Sequence, residues 1–430
     1  MHYLFSLIQR YALSRAGSSV IGIFVVISLI WFAGPLVGLA SVALRLAVIG
    51  LVLLLSLIIW GVRRIITSSR GAKLQHELTR QDEHKAQSKK LEIQLLKERM
   101  NEAIASLKSS DLGARYRGNA ALYALPWYMI IGPSAAGKST LLRKSGLHFP
   151  YASEDDIHIK GYGGTRNCDW WFSEQAVFLD TAGRYTTEED DRDEWIAFLG
   201  MLRKHRKKMP INGVIVAVSL AELLTSDNQG LQRHVKIIRN RISELIQKLG
   251  LVFPVYLVFT KSDLLHGFEA FFEDMSKQER NQVWGAYLYD KQSVNDDVSV
   301  VIEGNLNNLY VRLCDMRLRK ISMQRNLERK SELFDFPSQF SAAADRLKEF
   351  INLLFKDNPY QEPPKFAGVY FTSATQEGTP IERVIGNLRQ AFGFSKSGDE
   401  NGSVSQRPFF IKDLFTEVIF QIQGGARANR

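Results

Sequence analysis

The chain has 430 residues, a formal net charge of +10, 45% hydrophobic residues and two cysteines. That length allows two or three domains with full cores, and the apolar content is ordinary for a globular protein. Cys168 and Cys314 make neither a disulfide framework nor a metal-ligand spacing and read as free thiols, while scattered cations without a nucleic-acid motif argue against a nucleic-acid binder.

The apolar residues are unevenly spread. Val20 to Trp60 is nearly unbroken apolar sequence, too long for one membrane span of roughly 20 residues and suited to two with a tight turn. Gly34-Pro35 breaks it and Gly38 to Ser41 supplies turn residues, so helices are predicted near Ser18–Ala33 and Leu44–Val62. A signal peptide would have a shorter apolar core and no second run, and a soluble hairpin would show a polar face. Arg10 and Arg15 precede the pair, Arg63, Arg64, Arg70 and Lys73 follow it, and only Arg45 lies near the connection. This bias places both ends in the cytoplasm.

From Lys73 to Lys108 the chain is polar, and Ile93, Leu96, Met100, Ala103 and Leu107 draw one apolar helical stripe. It reads as a charged stalk helix lifting a body off the membrane. Short apolar runs then alternate with helical patterns. Trp127–Ile131, Ala176–Asp180, Gly213–Ser219, Pro254–Thr260 and Phe366–Thr372 read as buried strands, with helices at Arg192–His205, Leu231–Leu249 and Pro380–Phe392. The dense basic run Arg203 to Lys208 reads as a solvated helix end. The fold class is therefore α/β, a mostly parallel sheet covered on both faces, with binding at the carboxyl ends of its strands.

The expected organisation is a cytoplasmic amino terminus (1–17), a transmembrane hairpin (18–63), a charged stalk (64–120) and the first part of an α/β domain (121–265). An inserted helical domain (266–365) follows, then the last strand and helix of the α/β domain (366–394). Residues 395–430 form a linker, flexible by its composition from Ser395 to Ser405, and an amphipathic helix over Phe409–Phe420.

Three motifs carry chemistry. Gly132-Pro133-Ser134-Ala135-Ala136-Gly137-Lys138-Ser139, followed by Thr140, matches the phosphate-cradling loop in full. Its glycines let backbone amides approach phosphate oxygens, Lys138 would bridge the outer phosphates, and Ser139 would ligate magnesium. Asp180 ends an apolar strand and opens Asp180-Thr-Ala-Gly183; its carboxylate suits magnesium through water, and the Gly183 amide suits a γ-phosphate. Thr165, in the glycine-rich stretch between them, is the candidate second hydroxyl on the metal. Thr260-Lys261-Ser262-Asp263 matches a guanine-recognition box: Asp263 can accept from two guanine donors, Lys261 can lie over the base, and Ser373-Ala374 can brace it. Arg184 stands where many small GTPases place a water-orienting glutamine, so turnover is expected to be slow or partner-dependent. The acidic run Glu188 to Asp191 reads as a solvated helix start rather than a base.

This order of motifs resembles the translation-factor-related P-loop GTPases. Gly161 to Phe172, Ala176 to Tyr185, Leu141 to Pro150 and Phe409 to Phe420, with the amino-terminal hairpin, are similar to the IcmF/TssM family of bacterial secretion systems. The resemblance implies an inner-membrane, multi-pass core subunit of the type VI secretion membrane complex, with its NTPase body in the cytoplasm. It also implies magnesium with GTP or ATP as cofactor, assembly as an oligomer, and contacts with a DotU/TssL-type membrane protein and the baseplate. An outer-membrane lipoprotein would be met only by a periplasmic region beyond residue 430, so the chain is expected to be an amino-terminal portion. Two alternatives stand beside the NTPase: a membrane scaffold with a vestigial nucleotide site, and a membrane-tethered GTPase of transport or targeting.

Overall fold

The computed structural model describes residues 24, 26–32, 41–110, 114–116, 118–150, 168–184, 192–289, 298–356, 358, 362–374, 407–422 and 426–428, with backbone alone at 44 and 59–89. It divides into two compact units, 1–90 and 91–430.

In the first unit the expected turn over 33–40 lies outside the described residues. A single helix, α1 (Val42–Ser109), runs from the second apolar segment through the polar one, so the expected second span and stalk are one element. No prolines and few glycines interrupt it. Among the described residues no helix is long and apolar enough to cross a membrane. Phe24, Phe32, Leu51, Leu57 and Ile58 nevertheless stand exposed.

The stalk reading needs correction at its carboxyl end. Leu96, Met100, Ala103, Ile104 and Leu107 of α1 are buried in the core of the second unit, while Ile93 is half-buried. The last five or so turns of the helix belong to the body instead of supporting it from outside.

The body is built on a seven-stranded sheet. Its strands are β1 (Trp127–Ile131), β2 (Cys168–Phe172), β3 (Val177–Thr181), β4 (Gly213–Ser219), β6 (Pro254–Thr260), β7 (Gly285–Tyr287) and β8 (Lys365–Phe371). They lie in the order β2-β3-β1-β4-β6-β8-β7. The five strands expected from apolar runs form the parallel centre, and β2 and β7 add antiparallel edges. A two-stranded pair joins β5 (Leu251–Val252) to β9 (Arg427–Ala428).

Alternation along each strand divides the core into two layers. One face carries Trp127, Met129, Leu179, Val214, Val216 and Leu257, which share a core with α3 (Arg192–His205), α4 (Leu220–Thr225) and α5 (Asn228–Leu249), here numbered after α2 (Lys138–Arg143). The other carries Tyr128, Ile130, Phe178, Ile215, Tyr256 and Val258 beneath α2 and the carboxyl-terminal segment.

That segment differs from the expected amphipathic helix. Leu414–Ile419 is a π-helical turn, with Phe420 N–H donating to Phe415 O at 3.0 Å. Ile411, Leu414, Phe415, Ile419 and Phe420 all face the sheet, and the Tyr128 hydroxyl donates to Ile419 O at 2.7 Å. Apolar side chains on several sides favour a wider turn that buries more of them against the sheet.

Residues 266–365 supply α6 (Phe268–Phe272), α7 (Lys277–Asn281), α8 (Val298–Met323) and α9 (Leu327–Phe355), and also the edge strand β7. They lie inside the second compact unit. An aromatic cluster of Phe268, Phe272, Trp284, Phe336 and Phe410 ties them to the sheet edge and the carboxyl-terminal segment. The expected helix at 380–392 and the linker at 395–405 fall outside the described residues.

Candidate nucleotide site

The loop between β1 and α2 takes the conformation its glycines permit. Gly132 has φ +154°, and a Cβ there would sit 2.2 Å from Ala217 O on the neighbouring strand. Gly137, at φ 79°, turns the chain into α2. Lys138 is only 6% exposed, and its ammonium donates to Gly132 O and Pro133 O, both at 2.8 Å. Burial pulls Lys138 down to about 8, opposed by Asp180 and Glu222.

The structure brings Asp180 and Ser139 together. The Ser139 hydroxyl donates to Asp180 Oδ2 at 2.5 Å. Asp180 is fully buried at the end of β3, and burial pushes it up to about 6 against that hydrogen bond and the Lys138 charge. Its Oδ1 is buried and has no hydrogen-bond partner among the described residues. A buried, unsatisfied carboxylate oxygen is costly, and a cation or its water shell satisfies it. One carboxylate and one hydroxyl suit magnesium, which fills its other positions from phosphate oxygens and water. Among the described residues no group of three or more His, Cys, Asp or Glu forms another metal cluster. Thr165 lies outside the described residues, as does the acidic run at 188–191.

Gly183 abuts the loop: a Cβ at this position would fall 2.4 Å from Ser134 N and Cα. Only glycine lets the strand end approach so closely. Thr181 donates its hydroxyl to Ile130 O at 2.7 Å, fixing β3 against β1 beside the loop.

At the end of β6, Lys261 takes a left-handed conformation, φ 59°. Asp263 Oδ1 accepts from the Ser373 hydroxyl at 2.5 Å; burial pushes its carboxyl up, and Ser373 opposes the shift. Ser373 is held by paired backbone bonds with Phe409, and Ala374 packs partly on the carboxyl-terminal layer. A cavity of about 600 Å³ borders Lys261 and Asp263, with Leu220, Leu224, Phe268 and Arg346 in its walls. It adjoins the recognition box rather than the phosphate loop, so its volume does not define the phosphate site.

Two arrangements escape motif reading. The Thr260 hydroxyl donates to Ala136 O at 2.7 Å, joining the recognition box to the phosphate loop. Arg184 donates to Glu194 Oε2 at 2.9 Å and lies 3.8 Å from Glu92 Oε2 of α1. Glu194, in the first turn of α3, is buried. The only sequence signal for it was an acidic residue at a helix start.

The IcmF-related N-terminal domain family matches residues 188–430, more than half of the chain. The chain belongs to this family. The match begins after the phosphate loop, so the loop's assignment rests on its own geometry. The IcmF-related chain is also 43% identical over 344 residues to the type VI secretion system component TssM1 of Pseudomonas aeruginosa, covering 79% of this chain and 31% of that relative. It therefore spans about a third of that protein's length. Two solved structures from Chaetomium thermophilum show 15% identity: the signal recognition particle receptor SRb-GTP/SRX complex and its SRb-GDP-Mg form. Each covers 62% of this chain, with 98% and 99% of the other chain and TM-scores of 0.25 and 0.24. Scores that low bear on neither fold nor function.

Proposed function

We propose that this IcmF-related chain is the nucleotide-binding part of a membrane-anchored subunit of a bacterial type VI secretion membrane complex. It binds GTP or ATP with magnesium and couples nucleotide state to assembly or gating. The observation that carries the reading is the convergence of Lys138, Ser139 and the unsatisfied Asp180 oxygen at the carboxyl ends of β1 and β3. Similarity to TssM1 supports the secretion role. The exposed apolar side chains between Phe24 and Ile58, with Arg63 and Arg64 beyond them, support an amino-terminal membrane hairpin whose ends face the cytoplasm. A DotU/TssL-type protein and the baseplate are the partners this implies.

In this reading Lys138 exchanges two loop carbonyls for outer phosphate oxygens. Ser139 and Asp180 would hold the metal, and the buried Asp180 Oδ1 would gain a partner there. Magnesium would supply charge neutralisation to the phosphates. Asp263, steadied by Ser373, accepts from the ring N–H and amino group of guanine, which favours GTP over ATP. Arg184 is engaged by two carboxylates, which fits slow intrinsic turnover.

A scaffold whose site serves only folding is the second reading. Two observations favour it: Lys138 is already satisfied by the loop's own carbonyls, and Gly183 is pressed against Ser134. Secretion from cells carrying Lys138→Ala separates the two. Lost secretion with protein level and complex assembly intact supports the switch; unimpaired secretion leaves the scaffold.

A further inference from the structure

The turn joining α8 to α9 carries large apolar side chains that the fold leaves in water. Leu318 is 69% exposed, Met323 79% and Leu327 80%. Val300 and Val311, also exposed, share a helical face with Leu318, since spacings of 11 and 7 residues return to nearly the same angle. Such side chains are ordinary singly, but a cluster at the tip of a helical hairpin marks a contact surface.

The charge around them is one-sided. Between residues 312 and 330 there are seven Lys or Arg against two Asp or Glu. Lys320 pairs with Asp274 and Arg329 with Glu273, while Arg317 lies over the Phe334 ring. Arg312, Arg319, Arg325 and Lys330 form no ion pair among the described residues.

We propose that the α8–α9 tip is a lipid-surface contact, in which Leu318, Met323 and Leu327 enter the headgroup boundary of an anionic bilayer and Arg319, Arg325 and Lys330 meet its phosphates. Two observations select this occupant. The tip's positive charge opposes docking of a second copy on the same surface. Apolar side chains ringed by cations have the composition of interfacial membrane contacts. This proposal is independent of nucleotide binding.

The test uses the full chain with Met323→Cys carrying an environment-sensitive fluorophore, in a Cys314→Ser background; Cys168 is buried and escapes labelling. The probe is read in phosphatidylethanolamine–phosphatidylglycerol vesicles and in phosphatidylcholine vesicles, so any separate membrane anchor does not confuse the local signal. The expected result is a blue shift and quenching by nitroxide lipids in the anionic vesicles alone, weakening with salt. Replacing Arg319, Arg325 and Lys330 with Gln lowers the anionic-lipid partition of the tip about a hundredfold, at about fivefold per cation. A probe that stays in water in anionic vesicles overturns the proposal. So does a shift equal in both lipids and unaffected by the Gln substitutions, or burial that requires another protein.

Discussion

The Thr260 hydroxyl holds the recognition box to the phosphate loop through Ala136 O. Thr260→Val leaves that buried carbonyl short of a donor, and a cost of about 1–3 kcal/mol is expected in urea unfolding. Asp180 sets a pH window. Its folded-state value is raised to about 6, so between about pH 4 and 6 the folded chain holds a proton that the unfolded chain has released. That contribution to stability is present at low pH and is lost as pH rises through about 6. Magnesium has the opposite requirement, an ionised carboxylate, so magnesium-dependent nucleotide affinity should fall as pH drops below about 6. Titration calorimetry across pH 5–8 should show that fall, and Asp180→Asn should abolish it. At this scale the sequence was informative where backbone geometry restricts residue choice. Gly132 and Gly137 announce the loop because positive φ and close approach require them. The Thr260 bond was hidden because it joins residues 124 apart, and no local pattern reports such a contact.

Elements were legible in proportion to their burial. Central strands covered on both faces produce continuous apolar runs, and all five stood out. The edge strands β2 and β7 are each paired on one side only, and β7 has just three residues, so their runs resembled loop and helix. The Arg184–Glu194 pair joins the segment after β3 to α3, with Glu194 buried. Removing Glu194 takes the nearer carboxylate from Arg184, and Glu194→Ala should destabilise the body by about 1–3 kcal/mol in chemical denaturation. A small effect would mean that water already serves Arg184. On the opposite face, Tyr128→Phe deletes the donor to Ile419 O and should loosen the π-helical turn. Faster amide exchange at residues 414–420, with little change elsewhere, is the expected signature.

Across the whole molecule, the unexpected feature is that the end of α1 is core. Periodicity announced an amphipathic stripe, yet a stripe cannot say what it meets. Met100→Ala should cost about 2–5 kcal/mol, as for a buried core side chain; a stalk in water would give almost none. The central claim is that the carboxyl ends of β1, β3 and β6 form one nucleotide site, with phosphate loop and metal carboxylate on one side and the recognition box on the other. Equilibrium binding of labelled GTP and ATP to the full chain, with and without magnesium, tests it most directly. The account predicts saturable, magnesium-dependent binding that favours GTP, loss of binding in Lys138→Ala, and loss of the GTP preference in Asp263→Ala. Absence of saturable binding, or binding indifferent to Lys138→Ala, would contradict it.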